Sequence, residues 1–248
     1  MNGQDKRYVV ETRLLHKENG EWIPKRYVWN EAQTEAYLTL SGAKREIDFL
    51  QEGLERTVLY KVPMVNQCKS CHMLNGRISP IGPTARQLHR ADRKGSLILA
   101  WANRGFLEGV PQEIPLIARW DDPSTAIDHR ARAYLDINCG PCHRLGAPGK
   151  TSGLNLTVFA EAGYELGIGK KPVAAGKGSG GREYDIVPDE PEASILVYRM
   201  KSTDPGIMMP ELGRTNVHAE GVGLIEEWIR TMENNKQNSL IFAPNQKD

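Results

Sequence analysis

The four cysteines of this 248-residue chain form two Cys-x-x-Cys pairs, and a histidine follows each pair directly. In this spacing the two thiols form thioether bonds to the vinyl groups of a haem, and the histidine ligates its iron. The sequence therefore predicts two covalently bound haem c groups. The six residues that would hold them are Cys68, Cys71 and His72 in the first motif and Cys139, Cys142 and His143 in the second.

Two other uses of the cysteines deserve comparison. In a four-cysteine zinc site the two pairs usually lie about 15–20 residues apart, whereas Cys68 and Cys139 are 71 positions apart. Disulfides would suit an exported chain, but they give neither histidine a role. We favour haem attachment because it accounts for both histidines.

The composition is that of an ordinary globular chain, with 40% hydrophobic and 25% charged residues. A net charge of +1 gives no overall field that would favour nucleic acid or a membrane surface. No apolar run approaches the roughly 20 residues of a spanning helix, and the polar first residues do not resemble a signal peptide. Because bacteria attach haem c outside the cytoplasm, we expect a periplasmic or otherwise extracytoplasmic protein, seen here as a mature chain or an excised domain.

Hydrophobic periodicity and turn residues suggest a mainly α fold: two cytochrome c-like haem segments with an N-terminal β-rich extension. β-forming runs flank the hairpin dipeptide Asn19-Gly20, and the clearest helices are predicted over 124–135 and 224–232. The Gly-rich stretch 163–182 reads as a polar surface loop. The predicted parts are a β-rich segment (1–60), a first haem segment (61–130), a second haem domain (131–234) and a flexible tail (235–248).

The sixth ligand of the second iron is predicted to be a methionine. Met209 lies 66 residues after His143, directly before Pro210 and just ahead of the last amphipathic helix. A thioether ligand favours reduced iron and raises the potential. Met208 and Met200 are the alternatives.

The sixth ligand of the first iron is open among several candidates. His89 is preferred, Met64 and His129 are alternatives, and an open or unusual coordination is a fourth possibility. The Gly82-Pro83 pair suggests a turn in which a backbone carbonyl near Pro83 accepts the imidazole N–H of His72 and orients the ring. With His89 as ligand, we expect the first haem to have the lower potential.

The helix before the second motif resembles that of class I cytochromes c, with small Ala131 and bulky Leu135 eight and four residues before Cys139. Over residues 8–232 the chain is similar to a group of bacterial dihaem c-type cytochromes. The matching segments are Glu-Thr-Arg-Leu-Leu (11–15), Cys-Lys-Ser-Cys-His (68–72), Pro-Ile-Gly-Pro (80–83), Gln-Leu (87–88), Arg-Ala-Arg-Ala-Tyr-Leu-Asp-Ile-Asn-Cys (130–139), Ser-Gly-Leu-Asn-Leu (152–156), Ile-Val-Pro (186–188), Ser-Ile-Leu (194–196) and Met-Pro-Glu-Leu-Gly-Arg (209–214).

Members of that group sometimes accompany, or are fused to, quinoprotein-type sugar dehydrogenases. The resemblance therefore implies electron transfer from a periplasmic dehydrogenase to a further redox protein, by analogy. A dihaem peroxidase-like enzyme with an open first iron is the catalytic alternative, although no specific acid–base signature accompanies it. A haem-bearing domain of a larger oxidoreductase is a third possibility. Electron transfer without catalysis is the interpretation we favour.

Overall fold

The computed structural model describes residues 8–51, 53–89 and 96–232. Strands lie where the β-forming runs were predicted: β1 (Glu11–Glu18), β2 (Glu21–Trp29), β3 (Ala36–Leu38), β4 (Ala43–Gln51) and β5 (Leu54–Val62). The first three form an antiparallel sheet in the order β1-β2-β3, and β4 pairs with β5 in a separate hairpin. Asn19 and Gly20 make the β1–β2 turn, with φ of 49° and 83°, because an Asn-Gly dipeptide tolerates two successive positive φ angles.

The rest of the described chain is helical only in short pieces. A 3-10 turn (Val65–Cys68) precedes α1 (Lys69–His72), the two-residue strands β6 (Met73–Leu74) and β7 (Arg77–Ile78), α2 (Ala85–Leu88), α3 (Leu97–Asn103), α4 (Ile127–Asn138), α5 (Ile195–Lys201) and α6 (Ala219–Arg230). With 29% helix and 21% strand, the fold is mixed α/β. The prediction of a mainly α fold is therefore wrong.

The helical content is low because the segments between the helices are irregular. Loops and 3-10 turns join α3 to α4 and α4 to α5. Glycines such as Gly146, Gly153 and Gly180 have positive φ there, a conformation that ends helices.

The main core lies between α4, α5 and α6. Leu135 of α4 and both Ile225 and Ile229 of α6 are fully buried in it, as is Ala131. A Cβ added to Gly221 of α6 would overlap the hydroxyl of Tyr134 on α4, so the two helices approach too closely there for a side chain. α4 and α6 therefore pack closely at this glycine.

The stretch 163–182 is only in part the polar surface loop that was predicted: residues 171–182 are mostly exposed, but residues 166–170 are not. Leu166 and Lys170 are each only 2% exposed, and the Lys170 ammonium lies 3.4 Å from the Asp185 carboxylate. Ile168 forms a bridge to Ile186 of the core. The lysine is buried because its charge has this partner, which the composition of the segment does not reveal.

The first motif lies against the N-terminal sheet. β2 contacts both β7 and the 3-10 turn that contains Cys68, and Arg77 pairs with Glu21 of β2. Among the described residues between Met64 and Ala126, Ile98 is the one fully buried apolar side chain. The first segment thus has little core of its own.

The predicted division into four parts stays a prediction, and the tail predicted at 235–248 lies outside the described residues. Across the described ranges, no helix has both the length and the apolar character needed to cross a bilayer.

Candidate haem sites

A cavity of about 580 Å³ lies beside α4 and α5 and is closed on one side by the loop that begins at Met209. Its volume is within the range of roughly 300–1,000 Å³ that is usual for cofactor sites. Cys139, His143 and Met209 all line it. Three of the four residues predicted to hold the second haem therefore share one cavity. The fourth, the attachment thiol Cys142, does not line it.

The ring of His143 is held in the tautomer that a metal ligand needs. Its Nδ1 lies 3.0 Å from Ser152 Oγ. That hydroxyl donates its own proton to the Gly149 carbonyl at 2.7 Å and also accepts the Leu154 N–H at 3.2 Å. Because its proton is already used, Ser152 can only accept from Nδ1–H, which leaves the lone pair on His143 Nε2.

Burial also sets the protonation states at this motif. It lowers the pKa of His143 to about 4, and the nearby Arg199 charge adds to the effect. The imidazole is therefore neutral at pH 7, as metal ligation requires. Burial raises the pKa of the Cys139 thiol to about 12, so this position disfavours a thiolate and suits an uncharged thioether.

The loop that presents Met209 is fixed to α5 through one residue. The backbone carbonyl of Arg199 accepts the Met209 N–H at 3.1 Å. The Arg199 side chain donates through Nε to the Ile207 carbonyl at 2.8 Å. Met200 of α5 also lines the cavity, whereas Met208 is buried and is not among the lining residues. Met209 stays the preferred ligand, with Met200 rather than Met208 as the alternative on the wall.

Two arginines place positive charge on the cavity wall. Arg214 donates through Nη2 to the carbonyls of Ser202 and Arg199, at 2.6 and 3.2 Å, but its buried Nε has no partner. Neither Arg199 nor Arg214 forms a salt bridge with any residue that the structure describes. Leu154, Leu156 and others form an apolar wall beside these charges.

This combination fits the chemistry of haem. An apolar macrocycle needs an apolar wall, and its carboxylate side chains need cations or free N–H donors. Here Arg199 and Arg214 share the wall with the carboxylates of Asp185 and Glu211. The cavity offers the apolar wall and the cations, together with the attachment thiol of Cys139 and the ligating atoms of His143 and Met209. The residues present therefore fit haem c at the second motif.

The first motif orients its histidine through a different acceptor. His72 Nδ1 lies 3.1 Å from the Ser79 carbonyl, and because a carbonyl only accepts, Nδ1 carries the proton and Nε2 keeps the lone pair. The prediction of a backbone acceptor is right in kind, but the carbonyl is that of Ser79, directly before Pro80. Pro83 is exposed and follows a cis peptide bond with Gly82.

The candidates for the first sixth ligand are not brought together with His72 by any feature of the described chain. His89 Nδ1 lies 3.0 Å from Ser96 Oγ and the ring is partly buried. Met64 is 49% exposed and His129 is exposed. None of the three lines either cavity, and neither do His72 and Cys68, so the two cavities do not include the ligand face of the first motif. The sixth ligand of the first iron thus stays open.

The two motifs meet at a second cavity of about 240 Å³. Cys71 from the first motif and Cys139, Cys142 and His143 from the second line it. The Cys142 thiol lies 3.8 Å from the Ser70 carbonyl. Its contact with Cys71 lowers the pKa of the Cys71 thiol and raises that of Cys142.

The two alternative uses of the cysteines are a disulfide and a zinc site, and the described residues form neither. All four cysteines are free thiols. Among the described residues, no three His, Cys, Asp or Glu side chains are grouped as a metal ion would require.

Sequence reasoning missed the residues that orient the histidines and charge the cavity. Ser152 and Ser79 carried a usable signal. Ser152 follows His143 by nine residues and Ser79 follows His72 by seven, each in a stretch that contains glycine and proline. Arg199 and Arg214 carried none, because only the fold shows which of the many arginines lack an anionic partner.

No family model, curated protein or solved structure matches this chain. The resemblance to dihaem cytochromes therefore stays a prediction.

Proposed function

We propose that this protein is a dihaem c-type cytochrome that transfers electrons between extracytoplasmic redox partners. The observation that carries the proposal is the shared cavity of Cys139, His143 and Met209. In it the tautomer of His143 leaves Nε2 to ligate a metal. His72 has the same tautomer in a second Cys-x-x-Cys-His motif.

Bound haem would supply an iron that cycles between the ferrous and ferric states. The work of the chain is to hold and tune it. His143 and Met209 would supply the two axial atoms, and a methionine thioether favours the reduced state. Arg199 and Arg214 would balance the carboxylates of the macrocycle.

The partners in this proposal are an electron donor and an electron acceptor, both proteins. A quinoprotein dehydrogenase is the donor class that the sequence resemblance suggests. A periplasmic or other extracytoplasmic location follows from where bacteria attach haem c. Each of these is part of the proposal.

The test is a count of electrons. The chain, produced in a bacterium that attaches haem c, is titrated anaerobically with a one-electron reductant and then reoxidised with ferricyanide. We expect two electrons per chain, taken up and returned reversibly, and one electron in the Cys139→Ser/Cys142→Ser variant, which lacks the attachment thiols of the second haem. An irreversible titration, or steady consumption of hydrogen peroxide, would contradict an electron-transfer role.

A further inference from the structure

The two attachment motifs are neighbours in space although they lie far apart in sequence. The Cys142 thiol is 3.8 Å from the Ser70 carbonyl of the first motif, and Cys142 and Cys71 line the same cavity. Each of these two cysteines is the second attachment residue of its own motif. The attachment thiol of one motif therefore lies against the backbone of the other motif.

A backbone contact beside the thiols fixes this arrangement. The Asn75 N–H, three residues after His72, donates to the Gly146 carbonyl, three residues after His143, at 2.9 Å. Gly146 has a φ of +78°, and a Cβ there would overlap the Asn75 side chain. The Asn75 side chain thus occupies the space that a side chain at position 146 would need.

The cavities continue this contact. Cys139, His143 and Met209 line both the larger cavity and the smaller one, and Ser70 and Cys71 of the first motif line the smaller one. Cys68 and His72, the other haem-binding residues of the first motif, line neither cavity.

We infer that the fold holds the two attachment motifs side by side at Cys71 and Cys142, so that two haems attached there would form a close pair and electrons would pass directly between them inside this chain. The inference rests on the proposed function and adds the route to it. The electron that one iron loses is the one that the other gains, so no bond forms or breaks and no further reactant is needed. Tunnelling weakens steeply with distance, and adjacent attachment atoms give the shortest route.

Soret-region circular dichroism tests the contact without any activity assay, because two close porphyrins produce a couplet with lobes of opposite sign. We expect such a couplet in the holoprotein. It should be absent from a Cys68→Ser/Cys71→Ser variant and from a Cys139→Ser/Cys142→Ser variant, each carrying one haem. A native spectrum equal to the sum of the two single-haem spectra would overturn the inference. If either variant fails to fold, a Soret band of a single sign in the native protein would by itself overturn the inference.

A matched glycine pair tests whether the contact at Gly146 maintains the arrangement. Gly146→Ala forces Asn75 away, whereas Gly181 has the same φ of +78° and nothing within 4 Å of an added Cβ. We expect loss of couplet amplitude in Gly146→Ala and its retention in Gly181→Ala. Equal couplets in both variants would overturn this role of the contact.

The mass of the same holoprotein separates this inference from the function on which it depends. Two attached porphyrins with additive spectra would reject the close pair and leave the dihaem proposal standing. Fewer than two porphyrins, or a disulfide between Cys71 and Cys142, would reject both.

Discussion

Replacing Ser152 by alanine should change the redox potential of the haem at the second motif. Ser152 Oγ accepts the Nδ1–H of His143 at 3.0 Å, and this bond makes the imidazole a stronger donor to iron. A stronger donor favours the ferric state, so its loss should raise the potential. If the bond favours the ferric state by about 1 kcal/mol, its loss should raise the reduction potential by roughly 40 mV. A tenfold change in the equilibrium constant corresponds to about 59 mV for a one-electron couple.

The variant should also be less stable. Ser152→Ala leaves the His143 Nδ1–H, the Leu154 N–H and the Gly149 carbonyl without the partner that each has now. Each unsatisfied buried group costs about 1–3 kcal/mol, and water that enters the site would reduce the total. We therefore expect a loss of at least about 1 kcal/mol in the free energy of unfolding.

The assay is a spectroscopic redox titration of the wild type and three variants. Thr151→Ala is the matched control because Thr151 is adjacent and exposed. Ser152→Thr keeps the hydroxyl and should restore the potential. A Ser152→Ala shift no larger than that of Thr151→Ala, or a shift to lower potential, would refute the assigned role of Ser152.

Three further variants test the ligand, the helix crossing and the buried charge. Met209→Leu should abolish the weak near-infrared band of thioether-ligated ferric haem, whereas Met208→Leu should retain it; retention in both would refute Met209. Gly221→Ala should lower the free energy of unfolding by about 1–3 kcal/mol relative to Gly223→Ala. Both substitutions gain helix propensity, but only the first places a Cβ against Tyr134. Equal values in denaturant titrations of the two variants would contradict the close crossing of the helices. Lys170→Met should lower the free energy of unfolding by about 3 kcal/mol in the same titration, since it leaves the Asp185 carboxylate near the cavity without its partner. A decrease below about 1 kcal/mol would show that this ion pair contributes as little as an exposed one.

The proposed attachment chemistry is a prediction that the sequence alone can make, because it depends on local spacing. Cys139 and His143 are four positions apart, and the turn between them needs no information from the rest of the fold. Met209 was predictable from its place before the last helix, and the cavity brings it together with His143. Ala131 and Leu135 were predictable as buried positions of α4 for the same local reason.

The fold class was not predictable because the helices depend on long-range packing. α5 has only seven residues and α2 only four, and such short helices are not stable alone. Their propensities gave no measure of how much irregular chain would lie between them. The burial of Lys170 was likewise hidden, because its partner Asp185 lies 15 residues away and reaches it only in the folded state.

The meeting of the two motifs could not be read from the sequence at all. Cys71 and Cys142 are 71 residues apart, and nothing in either pentapeptide indicates that the other is its neighbour. The Asn75–Gly146 contact that accompanies them depends on two separate turns. Only the three-dimensional arrangement relates these four residues.

Intact mass is the most direct test of the central claim, which is that this chain carries two covalent haems. The protein is purified from a bacterium that attaches haem c, then denatured before measurement so that only covalent groups remain. We predict the mass of the bare polypeptide plus two haems, with one haem lost on replacing either cysteine pair. A mass that exceeds the bare polypeptide by fewer than two haems would contradict the account.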